Sequence, residues 1–371
     1  PNRFHAFDMQ YESLRRHLAN APAEFSNEAR NGACTVLMPN AEGHLEAFKV
    51  WTVPVMSPEL AAMFPEIRTY AGSSLERPGH ILRISALPGE LRAIILCPDS
   101  DVEAIDINPV LGPDRVIAYR VKDLPTVGGP EKPFVCGADD NIPYDLGKEL
   151  ELLNEPPAAD RSGVNPVTLR ILRFAVGCHA NFTIDHGGTK ASALAKVVDY
   201  TNRINAITER DAQLRFSLIP ETINVIFEDI LSQPYSGSEA GNWMGQNTGI
   251  LNTNIGAAKY DLGHCFARYL SGSAAGIAML SSACATNKGA GCSTANKNPA
   301  TGDYGNYFVG VAAHEIGHQL SCGHTWNRCD GGSGRSGISA WEIGSGITVM
   351  SYSGLCGPDN QPSPGSNLFY H

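Results

Sequence analysis

No run of apolar residues in this 371-residue chain approaches the length of a bilayer crossing. The longest candidates are short pieces such as AIIL at 93–96 and FVGVAA at 308–313, whereas a membrane helix needs about 20 apolar residues in succession. The sequence therefore predicts no membrane span. Positive charge is also scarce: 28 Lys and Arg stand against 38 Asp and Glu, for a formal net charge of -10. With no basic stripe, nucleic acid is excluded as an expected partner. No CxxC pair occurs among the ten cysteines, which argues against a zinc-finger or dithiol redox protein and for an oxidising compartment. Internal repeats and low-complexity tracts are absent too, which excludes solenoid architectures. No charged-then-apolar leader follows Pro1, so any export signal is expected to lie outside these residues.

What is present suits a globular chain of about two domains, with 43% of residues hydrophobic and 18% charged. Residues 137–166 carry seven acidic residues against Lys148 and Arg161, with four prolines, and read as an exposed connector. Before it, ACTVLMP, AFKVWTVPVM, HILRISAL and RAIILC read as short strands broken by Gly and Pro, so residues 1–136 are expected to be mainly β. After it, LRILRFAVG at 169–177 alternates like a strand. Leu194, Val197, Val198, Thr201, Ile204 and Ile207 then mark one face of a long helix. LRFSLIP and INVIFED are expected as further strands. The expected fold class is α+β, divided into a β-rich domain over 1–136, the connector over 137–166 and a second domain over 167–371. Cys34, Cys97 and Cys136 fall in the first part and the other seven cysteines in the second. Both counts are odd, so a bridge crosses the two parts, or each part keeps a cysteine for another purpose, or a partner lies beyond His371.

The stretch HEIGHQLSCGH, residues 314–324, holds three histidines and one glutamate. Residues four apart share one face of an α-helix, so His314 and His318 can aim at one point with Glu315 beside them. A continuing helix would carry His324 to the wrong side. The helix must stop, and Ser321, Cys322 and Gly323 supply a breaker from which His324 can swing back. A catalytic zinc takes about three protein ligands at about 2.0 to 2.2 Å and keeps a position open. The set therefore predicts one Zn2+ ion held by His314, His318 and His324, with Glu315 as base rather than ligand. A surface helix bearing three solvated histidines is the weaker reading, because the third histidine at this offset rarely arises from composition.

Downstream, GSGITVMSYSG at 344–354 is a Gly-flanked turn carrying Met350. HEIGHQLSCGH followed by TVMSY resembles the zinc motif and Met-turn of the metzincin endopeptidases. YDLGHCF at 260–266, GIAMLSSAC at 276–284 and GHTWNRC at 323–329 are similar to reprolysin-like (adamalysin-like) members, including secreted bacterial ones. The resemblance runs from about residue 167 to the end. It implies a metzincin (zincin-like) α/β catalytic domain with a twisted mixed sheet and an active-site helix, preceded by a propeptide. Met350 would lie under the imidazoles as an apolar base. An antiparallel edge strand, here Gly276, Ile277, Ala278, Met279 and Leu280, would pair with an extended peptide substrate; an ordinary buried strand fits the same residues. Where the family most often has Gly this chain has Ser321, at a position whose left-handed backbone costs a β-carbon about 1 to 2 kcal/mol. A folded core and metal binding exceed that cost.

Two further residues follow from the resemblance. Tyr352 matches a tyrosine that in astacin-like and serralysin-like metzincins reaches the zinc or the oxyanion, although plain packing is the preferred reading here. KPFVCGADD around Cys136 resembles the cysteine-switch segment that ends many metzincin propeptides, in which a thiolate takes the fourth zinc position. The alternative is a disulfide from Cys136 to Cys34 or Cys97.

Other candidates take structural readings. His179, His186 and His264 are expected to be hydrogen-bonded structure. Glu342 falls 24 residues after His318, the spacing of a glutamate ligand in another class of HExxH peptidase, and is a weaker alternative to His324. CATNKGAGC, closed by Cys284 and Cys292, suits a small disulfide loop; without clustered carboxylates, calcium has no support there. The resemblance thus implies a secreted zinc endopeptidase acting on protein or peptide substrates. Its own propeptide would be its inhibitor, and the activating cut would fall in the connector, where Arg161 is an exposed-looking basic residue. The rival is an inactive metzincin scaffold serving as an extracellular adhesion or binding module, against which the intact Glu315 and three histidines argue.

Overall fold

A computed structural model of the chain describes residues 1–123, 136–138 and 168–370, apart from 100, 109, 113, 273, 299–300, 330–334, 338, 362–367 and 369. The alternating stretches of the first part form eight strands: β1 His5–Asp8, β2 Thr35–Pro39, β3 Leu45–Thr52, β4 Arg68–Ser74, β5 Ile81–Leu87, β6 Glu90–Leu96, β7 Val102–Ile107 and β8 Arg115–Arg120. They make one antiparallel sheet in the order β1-β8-β7-β6-β5-β4-β3-β2. Because strand side chains alternate, the sheet has two apolar faces. Leu82, Ile84, Ala93 and Ile95 join a core of their own with Val36, Met38 and Phe48. Ile94, Leu96, Val102, Ala104 and Ile117 turn the other way, into the core of the second part.

The second part holds a five-stranded sheet, β9 Arg170–Cys178, β10 Leu214–Leu218, β11 Leu262–Arg268, β12 Gly276–Ala278 and β13 Gly291–Ala295, ordered β10-β9-β11-β13-β12. All its pairings are parallel except β12 on β13, which is antiparallel. The result is an α+β chain with a β-rich first part and a second part of mixed sheet and helices. The segment INVIFED departs from expectation: Pro220–Val225 is a 3-10 helix, and Ile226 makes only an isolated bridge to Cys178. Pro220 in the first turn fixes the backbone angle that starts the coil and offers no N–H to a ladder.

Among the described residues, three short helices lie in the first part, α1 Tyr11–Leu18, α2 Asn27–Arg30 and α3 Pro58–Met63; the second has α4 Ala180–Asp185, α5 Lys190–Ala212, α6 Ala240–Asn254 and α7 Gly305–Gln319. None of the described helices is long and apolar enough to cross a membrane. In α5, Thr189 and Ser192 satisfy each other's backbone N–H groups in a capping box, and Gln213 closes the helix in the left-handed conformation. The six residues read as its apolar face are all fully buried. So is the rest of the helix from Ala193 to Thr208, apart from Lys196, because a sheet lies on each side of it. On one side Asn202 donates its amide to Ile84 O at 3.0 Å; on the other Asn205 donates to Phe216 O at 2.9 Å.

Helix α7 contains FVGVAA and is buried almost throughout. Its first half is held by an aromatic cluster in which Phe308 meets Phe266 edge-on at 4.8 Å, Tyr200 at 4.9 Å and Tyr304 at 5.4 Å. Replacing Phe266 by Ala should lower the unfolding free energy by about 3 to 5 kcal/mol, read from the shift of a urea denaturation midpoint at constant slope.

Candidate metal centre

The second half of α7 carries His314 and His318 one turn apart on its buried side. The helix ends where the sequence demanded: Cys322 N–H donates to Gly317 O and Ser321 N–H to His318 O, each at 2.9 Å, the paired bonds of a Schellman cap. Ser321 has φ +80°, whereas Gly323 is outside the left-handed region. Gly323 therefore takes no share of the bend. It is there for close approach, since a β-carbon on it would lie 2.4 Å from Ser339 Oγ.

The reversal brings His324 back to the other two. The three Nε2 atoms form a triangle with every side 3.1 Å, and all three residues are at most 2% exposed. Ligands about 2.0 to 2.1 Å from a tetrahedral centre stand about 3.3 Å apart, so the triangle fits one cation. The chemistry of the donors fits as well. His314 Nδ1 lies 2.6 Å from Val349 O and His318 Nδ1 2.7 Å from Cys322 O. A carbonyl only accepts, so those Nδ1 atoms carry the protons and the Nε2 lone pairs face the centre of the triangle. Burial, with the neighbouring imidazoles adding to it, pushes His314 far below the ordinary histidine range and keeps it neutral, the form in which it can be a ligand.

Glu315 is fully buried, and burial pushes its carboxyl well above the usual range. Its Oε1 has no hydrogen-bond partner among the described residues. The carboxylate lies across Gly276 of β12, so closely that a β-carbon there would stand 2.5 Å from Oε1. Met350, 2% exposed, touches α7 from below: a β-carbon on Gly317 would lie 2.4 Å from its Sδ. Tyr352 meets the His324 ring edge-on at 4.8 Å and stacks on Trp326 at 5.6 Å.

Cys136 is also here. Its Sγ is 3.3 Å from His318 Nε2 and 3.6 Å from Glu315 Oε2, and its ligand atom and those of the three histidines all lie within 4.8 Å of one another. The backbone pairs with the edge strand through a Cys136–Gly276 bridge, with Gly137 N–H donating to Gly276 O at 3.0 Å. Cys136 is bonded to neither Cys34 nor Cys97. Among the described residues the disulfide is Cys329–Cys356, which ties the chain beyond His324 to the chain beyond Met350. The expected Cys284–Cys292 loop is not closed: Cys292 is buried on β13 while Cys284 is exposed.

One other expectation changes. The strand expected over Gly276, Ile277, Ala278, Met279 and Leu280 ends at Ala278. Met279 N–H still reaches Ala290 O at 2.9 Å, but left-handed Ser281 (φ +58°) turns the chain so that its own N–H meets His318 O at 3.0 Å. Leu280 falls in that turn. Glu342 is no ligand. It accepts from the Thr325 and Thr348 hydroxyls and from the N–H groups of Ile347 at 2.6 Å and Thr348 at 3.1 Å, and so clamps the segment after His324 to the turn before Met350. His264 bridges Gln319 at 2.7 Å and Ser293 at 2.9 Å. Burial lowers His179 to about 4 and His186 to about 3, as structural histidines. A second grouping, His80, Cys97 and Glu103, is taken up by an ion pair from Arg77 to Glu103 at 2.8 Å. Arg161 and the rest of 139–167 lie outside the described residues.

The model of the metallo-peptidase family M12B, reprolysin-like, matches residues 168–369. The chain belongs to this family. That residue range contains all three histidines, Glu315 and Met350, and it begins two residues before β9. The buried histidine triangle, of a size that could hold one cation, lies inside the matched range. Curated proteins give no match. A solved structure described as "Structure of a chaperone-substrate complex" is similar at 12% identity and TM-score 0.31, over 54% of this chain and 34% of that one. This chain thus spans about a third of that structure's length, and a likeness so low carries no argument.

Ser321 is a strained position of the site. Ser321→Gly should stabilise the protein by about 0.5 to 1 kcal/mol, the left-handed penalty less glycine's entropy, measurable as a raised thermal midpoint with metal content unchanged.

Proposed function

We propose that the chain is a latent zinc endopeptidase, secreted into an oxidising compartment, with His314, His318 and His324 as metal ligands and Glu315 as general base. The observation that carries this reading is the 3.1 Å triangle of imidazole nitrogens with an unpartnered Glu315 oxygen beside it. When bound, zinc supplies Lewis acidity, polarising a peptide carbonyl and making water acidic near neutral pH.

The chain's own residues do the rest. Glu315 takes the proton of the attacking water and returns it to the departing amine; its buried, desolvated carboxylate suits that exchange. Gly276 lets the carboxylate lie directly over the edge strand, whose backbone offers hydrogen bonds to an extended protein or peptide substrate. Met350 fixes the floor beneath α7, and Tyr352, packed between His324 and Trp326, holds the wall. Cys136 is proposed as the latency switch. Its thiol stands beside His318 Nε2 and Glu315, where the attacking water would have to be, and its backbone takes the edge strand's Gly276. The Cys329–Cys356 bridge supports secretion.

Glu315→Gln should retain zinc, measured by atomic emission, while casein hydrolysis falls by at least about a hundredfold. Loss of zinc, or activity left intact, would remove Glu315 from its role. Cys136→Ser should raise the activity of the uncut chain at least about tenfold, since a hydroxyl is a poorer zinc ligand than a thiolate. An unchanged rate in a zinc-loaded chain would dismiss the switch.

A further inference from the structure

Among the described residues, the first part of the chain touches the second in two places of very different strength. At the cleft, the described contact is Cys136–Ala138: the thiol, the Gly276 bridge and a backbone hydrogen bond from Gly137. The other contact is a wide seam against β10, α5 and the start of α7. There Ser57 N–H donates to Leu218 O, and Leu218 N–H to Val55 O, both at 2.8 Å, so residues 55–57 cover the outer edge of the five-stranded sheet. Val55, Leu60, Ile94, Leu96 and Ile117 belong to one continuous core with Leu194, Val198 and Ile204 of α5.

Charge is interleaved across the same seam. Arg92 of β6 pairs with Asp303 at 2.8 Å and donates to Thr301 O at 2.9 Å. Arg203 of α5 pairs with Asp106 of β7 at 2.8 Å and donates to Asn306 in the first turn of α7 at 3.0 Å. Arg92, Arg203, Asp106 and Asp303 are at most 3% exposed in their side chains. Pulling the parts apart would take Arg92 from Asp303 and Asp106 from Arg203, leaving, among the described residues, Asp303 only the Lys196 ion pair at 3.8 Å and Arg203 only the Asp199 ion pair at 3.2 Å. Breaking such buried pairs is far more costly than breaking surface ones. Asn306 and His318 are twelve residues apart on one helix, about 18 Å along its axis, so the seam and the histidine site engage opposite ends of α7.

We infer that residues 1–123 are a lasting partner of residues 168–370, one that stays seated after the chain is cut between them. Only the Cys136–Ala138 contact is reversible. The second statement rests on the latency reading given above; the first does not. Activation then needs withdrawal of one short segment from the edge strand rather than departure of the whole first part, and the mature enzyme is a two-piece assembly.

The test uses the full chain with a recognition sequence for a specific protease inserted between Ala138 and Thr168. After cutting, the product is run by analytical size exclusion with native mass spectrometry at about 1 μM, a concentration at which only pieces with a dissociation constant well below that remain joined. The expected result is a 1:1 complex that persists in 0.5 M NaCl, because buried pairs are poorly screened. Two separate species, whether the released second piece is folded or aggregated, would overturn the inference. Arg92→Ala with Asp106→Ala in the same cut chain should raise the dissociation constant at least about tenfold; no change would remove the ionic seam from the argument. Casein hydrolysis by the intact complex, absent before cutting, supports reversible withdrawal of Cys136. A stable complex that gains no activity would leave the lasting seam standing and overturn the latency reading alone.

Discussion

Everything at the candidate centre depends on one arrangement: three buried imidazoles whose Nε2 atoms converge to 3.1 Å of one another, a separation that suits a shared cation. Two of the rings are pinned from behind by backbone carbonyls, Val349 O and Cys322 O, so the set is built by the chain's course rather than by side-chain choice. That course has three fixed points: the sharp reversal at Ser321, the carboxylate of Glu342 drawing the return segment onto the next turn, and the Cys329–Cys356 bridge beyond it. Loosening any of these would change where His324 lies before it changed the helix.

The helix itself is positioned from its other end. Aromatic packing around Phe308 and the contacts of Asn306 hold its first turns, while His314 and His318 sit on its last two. A buried element of this length transmits position with little compliance, because protein interiors are close-packed and their side chains occupy defined rotamers. The first sheet, through α5 and Arg203, is thereby part of what places the histidines, although the family match begins only at residue 168.

Local pattern made much of this legible. The four-residue spacing of His314 and His318 and the need for a break before His324 follow from helix geometry, whereas the left-handed Ser321 is implied by the family resemblance. The alternating strands of the first part and the apolar face of α5 follow from periodicity. What could not be read were facts that depend on a remote partner. The face of α5 opposite its apolar stripe looks solvent-facing in sequence, and it is buried because a second sheet lies on it. INVIFED has the composition of a strand, but Pro220 starts a coil before it can pair. Glu342 has ligand spacing, yet four donors from Thr325, Ile347 and Thr348 claim its oxygens. The Cys329–Cys356 pairing had no signal beyond an odd count. Gly276 and Gly317 carry no local mark at all. Each is required by what lies across from it, a carboxylate in one case and a thioether in the other.

The bare α-carbon of Gly276 has one more implication. Because the Glu315 side chain lies directly against it, the proposed acid–base group and the strand on which a peptide would lie have no spacer between them to absorb error. Sliding a bound backbone by one residue along that strand would carry its carbonyl about 3.3 Å past the carboxylate, more than the reach of a hydrogen bond. On the proposed reading, strand registry would fix which bond meets Glu315 before any side-chain pocket selects among sequences.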